Sequence, residues 1–440
     1  MGTTARRAAL EVLERCRRDG AWSSDTLDAT LRRSGLDRRD SALCARLSLG
    51  VLQNTAYLDY YLDCYRSRAG EKLQPKLRDL LRLGAYQLLF LDKIPARAAV
   101  NESVALCREI GMERASGLVN AVLRRIAENR ETLPPIPGEG TAQYLSIRYS
   151  HPVWLAERLV SEKGYAFTEA FFAANNREQE LDIQVNTCRV TVEDYKRALQ
   201  RSEIEFREWP GLPGCLSLKG GAVTALPGYE DGLFYVQDRA ARTAVAAAGP
   251  EKGMRVLDLC AAPGGKSFAA ALAMRDEGEI LACDIHENKL RRIESGARRL
   301  GLSCIHTRSG DARQTPESFR GAFDLVIADV PCSGLGVIGK RPEIRQKSAR
   351  DIAALPDIQL AILHAASACV RPGGTLLYST CTVLREENDA VVDAFLRESR
   401  GFVPEDFTVG TITSRDGRYS FWPQTDGTDG FFAAKIKRKE

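Results

Sequence analysis

Two segments place a cysteine directly after an apolar run. ADVPCSGLGVIGKRPEIR (328–345) holds Cys332, and YSTCTVLREEN (378–388) holds Cys381. A thiolate can form a covalent intermediate that divides one hard step into easier ones. Free cysteines are mostly small buried hydrophobes, and at least nine of the twelve are read that way. Cys332 and Cys381 differ, because each is flanked by Pro, Ser, Thr or Gly on a loop at the end of a strand. Cys260 shares that edge but lies inside a glycine turn. The four histidines, His151, His286, His306 and His364, are far apart. That spacing argues against zinc or a Ser-His-Asp centre, and no metal is expected.

The glycine turn suggests a cofactor. MRVLDLC runs into AAPGGKSFAAALA, where Gly264 and Gly265 permit close backbone approach at a helix amino terminus. CAAPGGKS nearly satisfies a phosphate-binding G-x-x-x-x-G-K-[ST] loop, but its first glycine would be Cys260. The rival is a nucleoside cofactor without phosphates. Asp284 ends the next strand about 20 residues on, where a carboxylate accepts from ribose hydroxyls. Asp311 and Asp329 end two further strands. Three such acids would repel a triphosphate and suit a cationic sulfonium. The expected cofactor is S-adenosylmethionine.

A methyl donor and a thiol belong together for a chemical reason. Carbon 5 of cytosine is too weak a nucleophile to take a methyl group from a sulfonium. Thiolate addition at carbon 6 makes carbon 5 electron-rich, and loss of the carbon-5 proton later expels the thiol. Asp329 is placed to bond the base at N3 and its exocyclic amine. The thiol needs a depressed pKa, for which Lys266 and Arg385 are the candidate cations.

Five segments stand in order: LDLCAAPGGKS, ACDIHENK, GDA, DVPCSGLGVI and YSTCT. Together they resemble the Nop2/Sun (Fmu) family of RNA 5-methylcytosine methyltransferases. RLGAYQLLFLDKIPARAAVNESVALCR and LVNAVLRRI resemble a NusB-type RNA-binding helical domain; YSHPVWLAERL and DGFFAAKIKR also fit. The resemblance implies S-adenosylmethionine-dependent methylation of carbon 5 of one cytidine in small-subunit (16S) ribosomal RNA, naked or partly assembled. It implies a cytoplasmic monomer with no metal. Cys381 would be the nucleophile and Cys332 would assist product release, with Asp329 and Lys266 completing the catalytic set. Cys260, Ala261, Ala262, Pro263, Gly264, Gly265, Lys266, Asp284, Asp311 and Asp329 would hold the cofactor. One position leaves its role open: Arg341 stands where a histidine often precedes the proline. The alternatives are another RNA substrate (tRNA or 23S rRNA) and a non-catalytic RNA-binding factor with this fold. A DNA enzyme, in which the Pro-Cys cysteine attacks, is a third.

Around these residues the chain reads as multidomain. Residues 1–130 repeat apolar positions at spacings of three and four, predicting an all-α domain. ETLPPIPGEGT opens a linker, 131–149, expected to make few contacts. Residues 150–240 mix short helices and strands as a small α+β domain. From 241 to 440 apolar strands alternate with helices, predicting a Rossmann-like α/β domain whose parallel sheet is covered on both faces. Residues 1–150 carry 24 Lys and Arg against 18 Asp and Glu, so the amino-terminal domain could supply phosphate contacts. With 44% hydrophobic and 27% charged residues and no low-complexity tract, the composition excludes fibrous and disordered classes. Neither a signal peptide nor a membrane span is expected.

Overall fold

The computed structural model describes residues 4–20, 22–66, 72–219 and 222–440. They divide into two units, Met1–Arg177 with Ile338–Ala349, and Glu178–Val337 with Arg350–Glu440.

The first unit is helical. Ala5–Asp19, Arg38–Gln53, Pro75–Phe90, Ala96–Glu109 and Ser116–Glu128 bury its leucine-rich core. Local chemistry sets their ends. Thr4 and Asp37 accept from the amides of Arg7 and Asp40, and Pro75 opens its helix where an N–H would be unpaired anyway. Gly50 meets the Tyr86 ring so closely that an added Cβ would stand 2.1 Å from a ring carbon. Only glycine fits there.

The expected free linker is instead pinned down. The hydroxyls of Tyr60 and Tyr61 donate to the carbonyls of Pro135 and Pro134 (3.0 and 3.2 Å). Ala142–Tyr149 is a helix capped by Thr141, and Ser150 Oγ accepts from the Tyr57 amide at 2.9 Å. Helices Val153–Lys163 and Tyr165–Asn175, expected in the α+β domain, also belong to this unit. Gln53 Nε2 donates to the Asn176 carbonyl at 3.2 Å. Polar anchors thus tie 131–177 to the helices before it, and the two compact units divide at 177–178.

Ile338–Ala349 belongs here too, although it begins six residues after Cys332. Arg345 is buried and donates to the carbonyls of Tyr149 and Ser150 (2.8 and 2.9 Å) and to Asn176 Oδ1 (2.7 Å). Glu343 accepts from the Ser23 amide and hydroxyl (3.2 and 2.6 Å), and the Arg341 guanidinium lies 4.7 Å over the Trp22 ring. Arg341 therefore packs within the helical unit.

The second unit holds two main sheets. β1 (Leu181–Val185), β2 (Phe206–Glu208), β3 (Cys215–Leu218) and β4 (Phe234–Val236) pair antiparallel in the order β2-β3-β1-β4. β5 (Arg255–Asp258), β6 (Glu279–Asp284), β7 (Ile305–Ser309), β8 (Phe323–Asp329) and β9 (Val370–Thr380) are parallel. They are followed by β10 (Phe402–Pro404), a small hairpin of β11 (Thr408–Val409) and β12 (Ile412–Thr413), β13 (Arg418–Phe421) and β14 (Phe431–Arg438). The large sheet runs β10-β14-β9-β8-β5-β6-β7, with β13 beside β14.

The sheet is mixed, which corrects the parallel expectation. β14 is antiparallel to β9, with Phe432 opposite Thr380. The connection from Phe421 to Phe431 is too short for the crossover that a parallel strand requires, so β14 returns as a hairpin with β13. Alternate side chains fill two cores. Val256, Ile280 and Ile327 face helices Arg239–Ala248, Gly265–Ala273 and Glu287–Leu300, while Leu257, Val326 and Leu376 face Leu355–Cys369 and Asp389–Glu398. By length and composition alone Ala349–Cys369 could cross a membrane. Its Ile362, Leu363 and Ala366 are buried in the core beneath the sheet, which accounts for its apolar composition.

Candidate functional site

Register brings the chemistry to one rim. Asp258 pairs alongside Ala282 and Ile327, Asp284 alongside Ser309, and Asp329 alongside Ser379. The carboxyl ends of five parallel strands thus lie together, the place where α/β sheets bind ligands.

The glycine turn leaves β5 at this rim. Ala261 donates to the Cys283 carbonyl at 2.8 Å, Gly264 N–H to Ala261 O at 2.7 Å, and the Ala262–Pro263 peptide is cis. Gly264 has φ +110°, which an L side chain rarely adopts, and its missing Cβ would strike the Phe268 ring at 2.6 Å. Burial and the carboxylates of Asp258, Asp329 and Asp284 push the Cys260 thiol well above the ordinary range.

Three strand-end acids have distinct surroundings. Asp284 Oδ1 accepts from the His286 amide at 2.9 Å. Asp311 is already paired with Arg313 (2.6 Å), whose hydrogen bonds hold its carboxyl below the usual value. A cavity of about 150 Å³ adjoins Asp311, lined also by Leu259, Cys283, Ala312 and Phe319. Asp258, which sequence reasoning did not single out, is fully buried. Its Oδ2 accepts from Ser267 Oγ at 2.7 Å, and its Oδ1 has no partner. Burial raises its pKa to about 7. An orphaned buried oxygen, two rim carboxylates and an adjoining apolar cavity fit a nucleoside-bearing cation. The turn 260–266 with Asp258, Asp284 and Asp311 would hold S-adenosylmethionine.

Lys266, Asp329, Cys332 and Cys381 come together as expected. Lys266 Nζ lies 2.6 Å from Asp329 Oδ2, and Ser379 Oγ donates to Asp329 Oδ1 at 2.8 Å. Burial alone would lower the Lys266 pKa, but Asp329 and Asp258 outweigh it and raise it, so the side chain is a cation. Cys332 Sγ and Cys381 Sγ are 3.2 Å apart. That contact is asymmetric. Hydrogen bonding with Cys332 pulls Cys381 below the ordinary thiol value, and the Lys266 charge adds to it against burial and Asp329. The same bond, with burial and the charges of Glu387 and Asp329, pushes Cys332 well above that value. Arg385, the other candidate cation, is exposed. Of the ten remaining cysteines, seven are buried, Cys64 and Cys188 are exposed, and Cys260 belongs to the turn.

Sequence reasoning also missed Glu387. It is buried and accepts from the Ser333 amide (2.8 Å), Thr382 Oγ1 (3.1 Å) and Gln359 Nε2 (2.9 Å). The signal available was its setting, five residues after Thr382 in the polar run TCTVLREEN. Among the described residues no cluster of His, Cys, Asp and Glu could hold a metal ion.

Three family models match the chain. Residues 245–437 match the family described as 16S rRNA methyltransferase RsmB/F, 3–128 the NusB family, and 151–224 the RsmF/B-like ferredoxin-like domain. The chain is 33% identical over 446 residues, 99% of both chains, to a probable ribosomal RNA small subunit methyltransferase B of Bacillus subtilis. It is 35% identical to the ribosomal RNA small subunit methyltransferase B of Citrobacter koseri over 406 residues, 91% of each. The crystal structure of PH0851 matches with TM-score 0.83 and 26% identity, covering 100% of this chain and 99% of that one. A methyltransferase homologue from Pyrococcus horikoshii matches with TM-score 0.59 and 26% identity over 67% of this chain and 97% of its own. The chain belongs to the RsmB/F family of S-adenosylmethionine-dependent 16S rRNA methyltransferases.

Proposed function

We propose that this methyltransferase modifies carbon 5 of a cytidine in small-subunit ribosomal RNA through a covalent bond between Cys381 and carbon 6. The observation that carries the reading is the Cys332–Cys381 contact, with Lys266 and Asp329 beside it. A methyltransferase acting on a ring nitrogen or a ribose hydroxyl has no use for paired thiols at the rim.

In this reading Cys381, held as a thiolate, adds to carbon 6 and forms the S–C bond. The displaced electron pair moves into the ring, and N3 takes the proton that Cys332 carried. Each Asp329 oxygen holds one donor and keeps a lone pair for the N3–H and the exocyclic amine. S-adenosylmethionine, when bound, supplies the methyl group. Cys332, now a thiolate, accepts the carbon-5 proton; the C–H pair restores the double bond and the Cys381–carbon bond breaks.

The basic amino-terminal domain, about residues 1–130, supplies phosphate contacts, and 241–440 the chemistry. The target base must leave its stack to reach the thiols, which favours naked or partly assembled RNA. The enzyme works as a cytoplasmic monomer. Bisulfite mapping of ribosomal RNA from a strain lacking the gene, complemented by wild type or by Cys381→Ala, tests the reading. One protected cytidine should vanish and return only with the wild type. A protected set that is unchanged in the deletion would overturn it.

A further inference from the structure

The two thiols are close enough to share one proton, so something must decide which of them keeps it. We infer that Glu387 is the positioning residue that does so, fixing Cys332 as the proton carrier and leaving Cys381 free to attack. This rests on the reading of the two cysteines given above.

The geometry is that of a brace between two loops. Cys332 follows β8 and Cys381 follows β9, and these strands are neighbours. One carboxylate takes the amide of Ser333, directly after Cys332, and the hydroxyl of Thr382, directly after Cys381. Gln359 Nε2 bridges the same carboxylate and the Pro331 carbonyl (2.9 and 3.0 Å). The two loops also touch directly, Ser333 Oγ to Thr382 Oγ1 at 2.7 Å, and Tyr378 Oη donates to the Glu387 carbonyl at 2.6 Å. Every partner of the Glu387 carboxylate is a donor, which suits an ionised group, and Glu387 is 1% exposed. A buried charge is weakly screened, so it acts strongly on its neighbours.

That charge falls unequally on the two thiols. Glu387, Asp329 and the Cys381 sulfur act on Cys332 and favour its neutral form, and Tyr378 lies close by. Lys266, Asp329 and Asp429 face Cys381, and Lys266 is the cation among them. Asp329 acts on both. The sulfurs thus differ in Glu387 on the Cys332 side and in Lys266, partly offset by Asp429, on the Cys381 side. A brace without charge would fix the distance between the thiols but not the direction of the hydrogen bond.

Alkylation tests this with neither RNA nor cofactor present. Iodoacetamide labelling of Cys332 and Cys381 is followed by mass spectrometry from pH 5.5 to 9.5. In the wild type Cys381 should label first, roughly tenfold or more faster than Cys332 at pH 7, because the thiolate is the form that alkylates. Glu387→Gln keeps the size and loses the charge. It should raise the Cys332 rate several-fold, move its profile to lower pH and move that of Cys381 upward. Thr382→Val, which loosens the brace and leaves the charge, should lower the melting temperature and preserve the order of labelling. Glu387→Asp should preserve it as well. Unchanged profiles in Glu387→Gln, or a lost order in Thr382→Val or Glu387→Asp, would overturn the inference. An enzyme that attacked RNA through Cys332 could still pass this assay, so its failure is separate from failure of the catalytic reading.

Discussion

Lys266 Nζ sits 2.6 Å from Asp329 Oδ2, joining the first helical residues after the glycine turn to the end of β8. The pair couples the cofactor turn to the thiols, since Lys266 also lowers the Cys381 pKa. Lys266→Met removes that cation and leaves the Asp329 charge unbalanced. The Cys381 pKa must then rise, so less thiolate is present at neutral pH. Single-turnover methylation at pH 7 should fall at least about tenfold and recover partly toward pH 9, because one pKa unit is a factor of ten in thiolate below the pKa. A loss equal at both pH values would place the Lys266 role elsewhere.

Asp258 gives a stability prediction with a definite sign. Its carboxyl titrates near 7 in the folded chain against 3.8 for the ordinary group, so the folded state holds a proton that the unfolded state releases. Folding should therefore lose stability as pH rises from about 4 to 7. Asp258→Asn removes this dependence. Urea unfolding of the cofactor-free protein at pH 5 and pH 8 should show the variant gaining on the wild type at pH 8, by at most about 3 kcal/mol. No gain at pH 8 would mean that Asp258 is compensated by partners in the fold.

The rim acid Asp284 is expected to bind the ribose hydroxyls. Asp284→Ala should weaken S-adenosylmethionine binding about tenfold or more, in line with about 1.5–3 kcal/mol for a charged hydrogen bond. Isothermal titration reads it directly. Unchanged affinity would remove Asp284 from the cofactor site.

Arg345 is expected to be structural. It satisfies the carbonyls of Tyr149 and Ser150 and the Asn176 side chain from a buried position. Arg345→Met should destabilise the helical unit by roughly 3 kcal/mol, since buried acceptors lose their donor. Trypsin should then cut first at Lys340, Arg341 or Lys347. A chain lacking residues 1–130 should likewise expose 131–177, which loses its partners Gln53, Tyr57, Tyr60 and Tyr61. Proteolysis patterns identical to the wild type would refute both.

How far the sequence foretold the site follows from the range of the interactions. The turn 260–266, Asp284 and the two cysteines were legible because each is local: glycines in a turn, or a polar residue ending an apolar strand. The partners of Glu387 were not. Ser333 and Gln359 lie 54 and 28 residues from it, and only pairing of β8 with β9 and packing of Leu355–Cys369 bring them together. The same holds for Ile338–Ala349, whose Arg345 finds acceptors nearly 200 residues earlier. For the fold, strand existence was clear from the apolar runs, whereas the direction of β14 depended on its connection to β13. The linker was misjudged because proline and glycine report backbone conformation; they do not report that two tyrosine hydroxyls will hold the proline carbonyls.

The central claim is the division of labour between Cys381 and Cys332. Its most direct measurement is trapping of the protein–RNA adduct on denaturing electrophoresis, with small-subunit ribosomal RNA and S-adenosylmethionine present. Cys332→Ala, with water supplying the N3 proton in place of the missing thiol, should form the carbon-6 bond, accept the methyl group and then stall, because removal of the carbon-5 proton comes last. A complex that survives denaturation should accumulate. Cys381→Ala, and the double variant, should show none and should transfer no methyl group. A stable complex with Cys381→Ala and none with Cys332→Ala would contradict the account.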